Sequence, residues 1–98
     1  MNYYTTIHKE TREGFDIVFS TCPEDSKPDF FDSEEERSQF WKDLERGDTA
    51  WFIAKVEAYK NGVRLGVDYL GGCWYASEMD FVNESDYYGD MVATCLAS

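Results

Sequence analysis

Ninety-eight residues, 43% of them hydrophobic and 17% aromatic, suffice for a single packed domain and exclude the composition of a disordered chain. Twenty Asp and Glu against nine Lys and Arg give a formal net charge of −11. That balance argues against direct binding of nucleic acid, which requires clustered cations facing phosphates.

The first 21 residues read as a hairpin. Tyr3, Thr5 and Ile7 alternate with Tyr4, Thr6 and His8, and Phe15, Ile17 and Phe19 alternate with Asp16, Val18 and Ser20, a period of two that marks strands. Thr11-Arg12-Glu13-Gly14 supplies the turn, with Gly14 free to take positive φ, and Pro23 ends the second strand because it has no N–H to donate. An acidic connection over 23–33 leads to Ser33-Glu34-Glu35-Glu36, a capping box with its acids at the positive end of the helix dipole. The helix is expected over Glu34–Arg46, with Gly47 as its terminating glycine and Phe40, Leu44 and Trp41 as its apolar side.

Asn61-Gly62 is a strong hairpin signal, a type I′ turn. A strict two-residue loop there pairs Ala58 with Leu65, Val56 with Val67 and Ala54 with Tyr69 on a core face, and Lys55 with Asp68 and Tyr59 with Arg64 on the other. Gly71-Gly72 is expected to bend the chain. Ser77 and Ser85 are cap residues for one broken helix or two short ones, and Tyr88, Met91, Val92, Cys95 and Leu96 form a helical stripe. The order β-β-α-β-β-α predicts an α+β fold, a four-stranded, mainly antiparallel sheet with helices packed on one face.

Signals for chemistry are sparse. No nucleophile elbow, phosphate-binding loop or dinucleotide fingerprint is present. Cys22, Cys73 and Cys95 have no C-x-x-C spacing, and His8 is the one histidine, so the thiols read as buried and reduced rather than as metal ligands. Asp80, Glu84, Asp86 and Asp90 fail the calcium-loop pattern, because Val82 and Ser85 fall at its third and sixth positions. The expectation is a protein without catalytic residues, metal or cofactor. The first residues lack the basic and apolar regions of a signal peptide, and no apolar run reaches bilayer length, so a cytoplasmic location without membrane contact is expected.

Charge placement says more than the total. Glu24, Asp25, Asp29, Asp32, Glu34, Glu35 and Glu36 surround a single base, Lys27, and after Arg64 come Asp68, Glu78, Asp80, Glu84, Asp86 and Asp90 with no Lys or Arg. Helix-dipole compensation accounts for Glu34–Glu36 but not for a base-free C-terminal stretch. Phe30 and Phe31, in a loop beside acids, have the composition of interface anchors. In size, charge and lack of catalytic parts the chain resembles the small acidic anti-restriction and anti-CRISPR proteins of phages and mobile elements. That resemblance implies a nucleic-acid mimic whose partner is the basic groove of a nucleic-acid-binding protein or complex. The residues expected at the interface are Glu24, Asp25, Asp29, Phe30, Phe31, Asp32, Glu34, Glu35, Glu36, Glu78, Asp80, Glu84, Asp86 and Asp90. The competing readings are an adaptor domain whose acids only solubilise it, and an enzyme with a dispersed site.

Overall fold

Two tight turns organise the sheet. Glu13 and Gly14 (φ 53° and 82°), and Asn61 and Gly62 (φ 54° and 79°), place successive residues in the left-handed region, as type I′ hairpins require. In the computed structural model, which describes residues 3–28 and 30–97, these turns join β1 (Thr5–Arg12) to β2 (Phe15–Pro23) and β3 (Ala50–Lys60) to β4 (Val63–Tyr75). β2 pairs antiparallel with β3, which gives one four-stranded sheet in the order β1-β2-β3-β4. The helices are α1 (Glu34–Arg46), α2 (Glu78–Glu84) and α3 (Asp86–Leu96). The fold is α+β in the expected order, with two short helices at the end. None of its described helices is long and apolar enough to cross a membrane.

Each helix starts on a serine. Ser33 Oγ accepts from the Glu36 N–H at 3.2 Å, Ser77 Oγ from the Asp80 N–H at 3.4 Å, and Ser85 Oγ from the Tyr87 N–H at 2.9 Å. Left-handed Gly47 closes α1, its N–H donating to Leu44 while the Asp48 N–H donates to Asp43, so orphan carbonyls of the last turn are satisfied.

Strand alternation sends Ile17, Phe19, Phe52, Ala54, Val56 and Ala58 to one face, where they bury Phe81, Tyr88, Met91, Val92 and Cys95 of α2 and α3. Phe19 stacks on Phe81 with ring centroids 5.3 Å apart and meets Tyr88 edge-on. Trp51 and Trp74, opposite each other on β3 and β4, leave the strands on the other side. Phe40 of α1 packs edge-on against both, at 5.6 and 5.1 Å. Thus α2 and α3 share the core face, whereas α1 departs from the expected packing of all helices on one face: Phe40 anchors it to Trp51 and Trp74 on the reverse side.

The register of β3 and β4 differs from the expected one. Tyr59 does face Arg64, but Leu65 is an extra residue on β4, so Ala58 faces Gly66, Val56 faces Asp68, Lys55 faces Tyr69 and Ala54 faces Leu70. Gly66 supplies the reason: a Cβ there would lie 2.3 Å from the Cys95 carbonyl oxygen, so only glycine lets α3 lie against the strand at this point. A one-residue shift exchanges the faces of a strand, and Leu65 and Tyr69 are accordingly exposed rather than core. Gly71-Gly72 does not turn the chain out of the sheet either. The pair forms a second bulge opposite Ile53, with Gly72 at φ 67°, and β4 continues to Tyr75. A third bulge interrupts β1 at Ile7. All three lie on edge strands, where bulges disturb the row of free backbone groups that invites pairing with another chain.

Candidate protein-binding surface

The ion pairs show how the charges are distributed. Arg12 pairs with Glu10, to which the His8 ring is hydrogen-bonded at 2.9 Å, Lys55 and Arg64 pair with Glu57, and Arg46 pairs with Asp43 and Asp48. Glu57 is the most buried of these acids. Burial alone would raise its pKa, but hydrogen bonds from Tyr59 (2.7 Å) and Arg64 (3.2 Å) and the charge of Lys55 outweigh this and hold it below the ordinary value. Glu10 behaves the same way: donors from Tyr88, Arg12 and His8 overcome its desolvation. Among the described residues no ion pair reaches an acid of the stretches 24–36 or 78–90.

Those acids lie on two regions of the molecule. On α1, Glu34, Glu35 and Glu36 are exposed in the first turn, and Asp32 and Asp25 are exposed in the preceding connection; Asp29 lies outside the described residues. On the other helices, Glu84, Asp86 and Asp90 are exposed while Glu78 and Asp80 are half-buried. Glu78, Asp80 and Asp86 fall in first turns, but neither helix has a base in its last turn. Asp80 with Glu84, and Asp86 with Asp90, are like charges at i,i+4, an arrangement that costs a helix about 0.2–0.5 kcal/mol per pair. Dipole compensation does not extend to Asp90, so the fold retains repulsion that its own stability does not use.

Glu24 stands apart from the other acids. Its Oε1 accepts from the Gly72 N–H at 2.8 Å, its own N–H donates to the Trp51 carbonyl at 3.2 Å, and Trp51 Nε1 donates to the Ser26 carbonyl at 2.9 Å. This carboxylate fastens the 24–28 connection to the sheet, and Pro28 within that connection is buried. The anchored loop presents Phe30 (52% exposed) against Trp74 (40% exposed), with centroids 5.8 Å apart, while Phe31 is half-buried between Phe40 and Trp74. Of the two expected anchors, Phe30 is presented to solvent and Phe31 supports it.

Trp74 also lines a recess of about 290 Å³ with Gly71, Gly72 and Tyr87, and Tyr87 is 57% exposed. Phe30, Trp74 and Tyr87 therefore follow one another past the outer strand of the sheet, from the loop before α1 to the first turn of α3. This stripe has acids at both ends, Asp32 and Glu34–Glu36 at one and Asp86 and Asp90 at the other. Trp74 carries no motif in the sequence. Its place in the site depends on the bulge at Gly71-Gly72, which the alternation pattern does not encode.

The remaining chemistry is structural. The three thiols are buried and unbridged. Cys73 donates to the Leu70 carbonyl and Cys95 to that of Val56, and burial pushes Cys73 up to about 11 and raises Cys95 as well. His8 has a carboxylate at 2.9 Å, that of Glu10, as its partner. Among the described residues, no three His, Cys, Asp or Glu side chains gather where they could hold a metal ion. No protein-family model matches the chain, and neither the curated proteins nor the solved structures contain a match to it.

Proposed function

We propose that the protein is a non-catalytic binding module that docks its unpaired carboxylates and exposed aromatics onto the basic site of a nucleic-acid-binding protein, and so blocks that site. The observation that carries this reading is the segregation of charge. The paired acids lie on the sheet and at the end of α1, whereas those of residues 24–36 and 78–90 have no cationic partner among the described residues. A basic groove would draw such an array in at long range and lose affinity as salt screens it. Successive acids at i,i+4 rise about 6 Å along a helix, close to two phosphate steps of roughly 3.4 Å on a nucleic-acid strand. A restriction or CRISPR complex is the kind of partner the resemblance implies, and the host cytoplasm is where it would be met.

Affinity capture with the whole protein as bait, eluted in turn by rising salt and by an oligonucleotide, tests the proposal. The expected partner is a basic protein that leaves at moderate salt and is displaced by the oligonucleotide it binds. A partner that resists both favours the adaptor reading, in which the anchored Phe30–Trp74 pair supplies the affinity and the acids only solubilise.

A further inference from the structure

We propose that the Phe30–Trp74–Tyr87 stripe is a receptor for arginine side chains on the partner; the inference rests on the binding role proposed above and adds the chemistry it recognises.

The ring faces come first. Within the described residues, the cations that sit over aromatic rings are Lys55 over Tyr4 at 4.2 Å, Lys60 over Phe15 at 5.0 Å and Arg12 over Tyr88 at 5.6 Å. None of these involves Phe30, Trp74 or Tyr87, three of the most exposed aromatics on the molecule. The recess shared by Trp74 and Tyr87 encloses about 290 Å³ at the outer strand, space enough for a flat group to lie against the rings.

Charge then selects the occupant. Tyr87 and Asp90 are i,i+3, and Asp86 and Asp90 are i,i+4, on the first turns of α3, so ring and carboxylates share a helix face. An apolar segment seated there would desolvate those acids without pairing them. A nucleobase would stack, but its phosphates would meet a protein of net charge −11. A guanidinium satisfies both halves: its plane stacks on Trp, Tyr or Phe, and its five N–H donors face carboxylates in a fixed fork. Lysine offers the charge but has no plane to stack.

The test compares two short peptides of equal length and charge, one with arginine and one with lysine at every basic position. Binding to the whole protein is followed by tryptophan fluorescence and calorimetry at low and at physiological salt. The expected result is an arginine preference of about tenfold, reduced severalfold by Tyr87→Leu and by Phe30→Leu and retained in Trp74→Phe. Both leucine variants alter exposed side chains, and their melting curves should match that of the parent. Equal affinity for the two peptides, falling with salt, overturns this inference and leaves the acidic binding role standing. Failure of both peptides to bind at low salt overturns the two together.

Discussion

The Tyr88 hydroxyl donates a 2.7 Å hydrogen bond to Glu10 Oε2, joining the first turn of α3 to β1 across 78 positions of sequence. Tyr88 is buried and its neighbour Tyr87 is 57% exposed. Because consecutive helix residues point about 100° apart, fixing one tyrosine inward turns the other out toward Trp74. The internal polar contact thus sets the direction of an aromatic on the proposed binding stripe.

Tyr88→Phe removes that bond and is expected to cost about 1.5–3 kcal/mol, as for a hydrogen bond to a charged group. Chemical denaturation measures the loss. Because Tyr88→Phe keeps the ring, the fold should persist, and weakened peptide binding would show that the orientation of Tyr87 depends on the bond.

The depressed pKa values of Glu10 and Glu57 make stability depend on acid pH. Both carboxyls bind protons more weakly folded than unfolded, where a glutamate titrates near about 4.3. Their contribution is therefore complete above roughly pH 5 and is lost as pH falls through the lowered folded values. Thermal melts from pH 7 to 3 should show the decline, and Glu57→Gln should flatten it. A variant that loses as much stability between pH 5 and 3 as the parent would show that Glu57 is not a source of the dependence.

Two glycines should respond to alanine in opposite senses. At Gly66 the added Cβ meets the Cys95 backbone at 2.3 Å, and overpacking of this kind costs about 1–3 kcal/mol. At Gly89, inside α3, nothing lies within 4 Å of the added Cβ, so the gain in helix propensity should stabilise by up to about 1 kcal/mol. Melting temperatures of the two variants check both signs.

These glycines also mark where sequence pattern stops being informative. The helix limits of α1, the three serine caps and both hairpin turns were legible because each rests on local chemistry: a hydroxyl at a cap, a residue tolerant of positive φ at a turn. The register of β4 was not, since the extra residue at Leu65 is forced by α3 lying against Gly66, a contact between segments 29 positions apart. The same holds for the candidate site. Phe30 and the exposed acids could be read from composition and spacing, but Trp74 joins them only through the bulge at Gly71-Gly72. Glu24, which counts as one more acid in sequence, serves instead as a clasp on Gly72.

Glu24→Ala should therefore loosen the 24–28 connection without unfolding the sheet. The measurable result is faster amide exchange at Gly72 and weaker binding through Phe30, with the melting temperature lowered by only a few degrees. Unchanged exchange at Gly72 would show that the clasp does not restrain the loop.

The most direct test of the central claim is the salt dependence of affinity for the captured partner, measured for the parent and for Glu78→Gln/Asp86→Asn/Asp90→Asn. An array of carboxylates facing a basic groove predicts a linear fall of log affinity against log salt, roughly tenfold or more between low and physiological ionic strength, with a shallower slope and weaker low-salt binding in the neutralised variant. Affinity that does not change with salt, or a slope that the three neutralisations leave intact, would contradict the account.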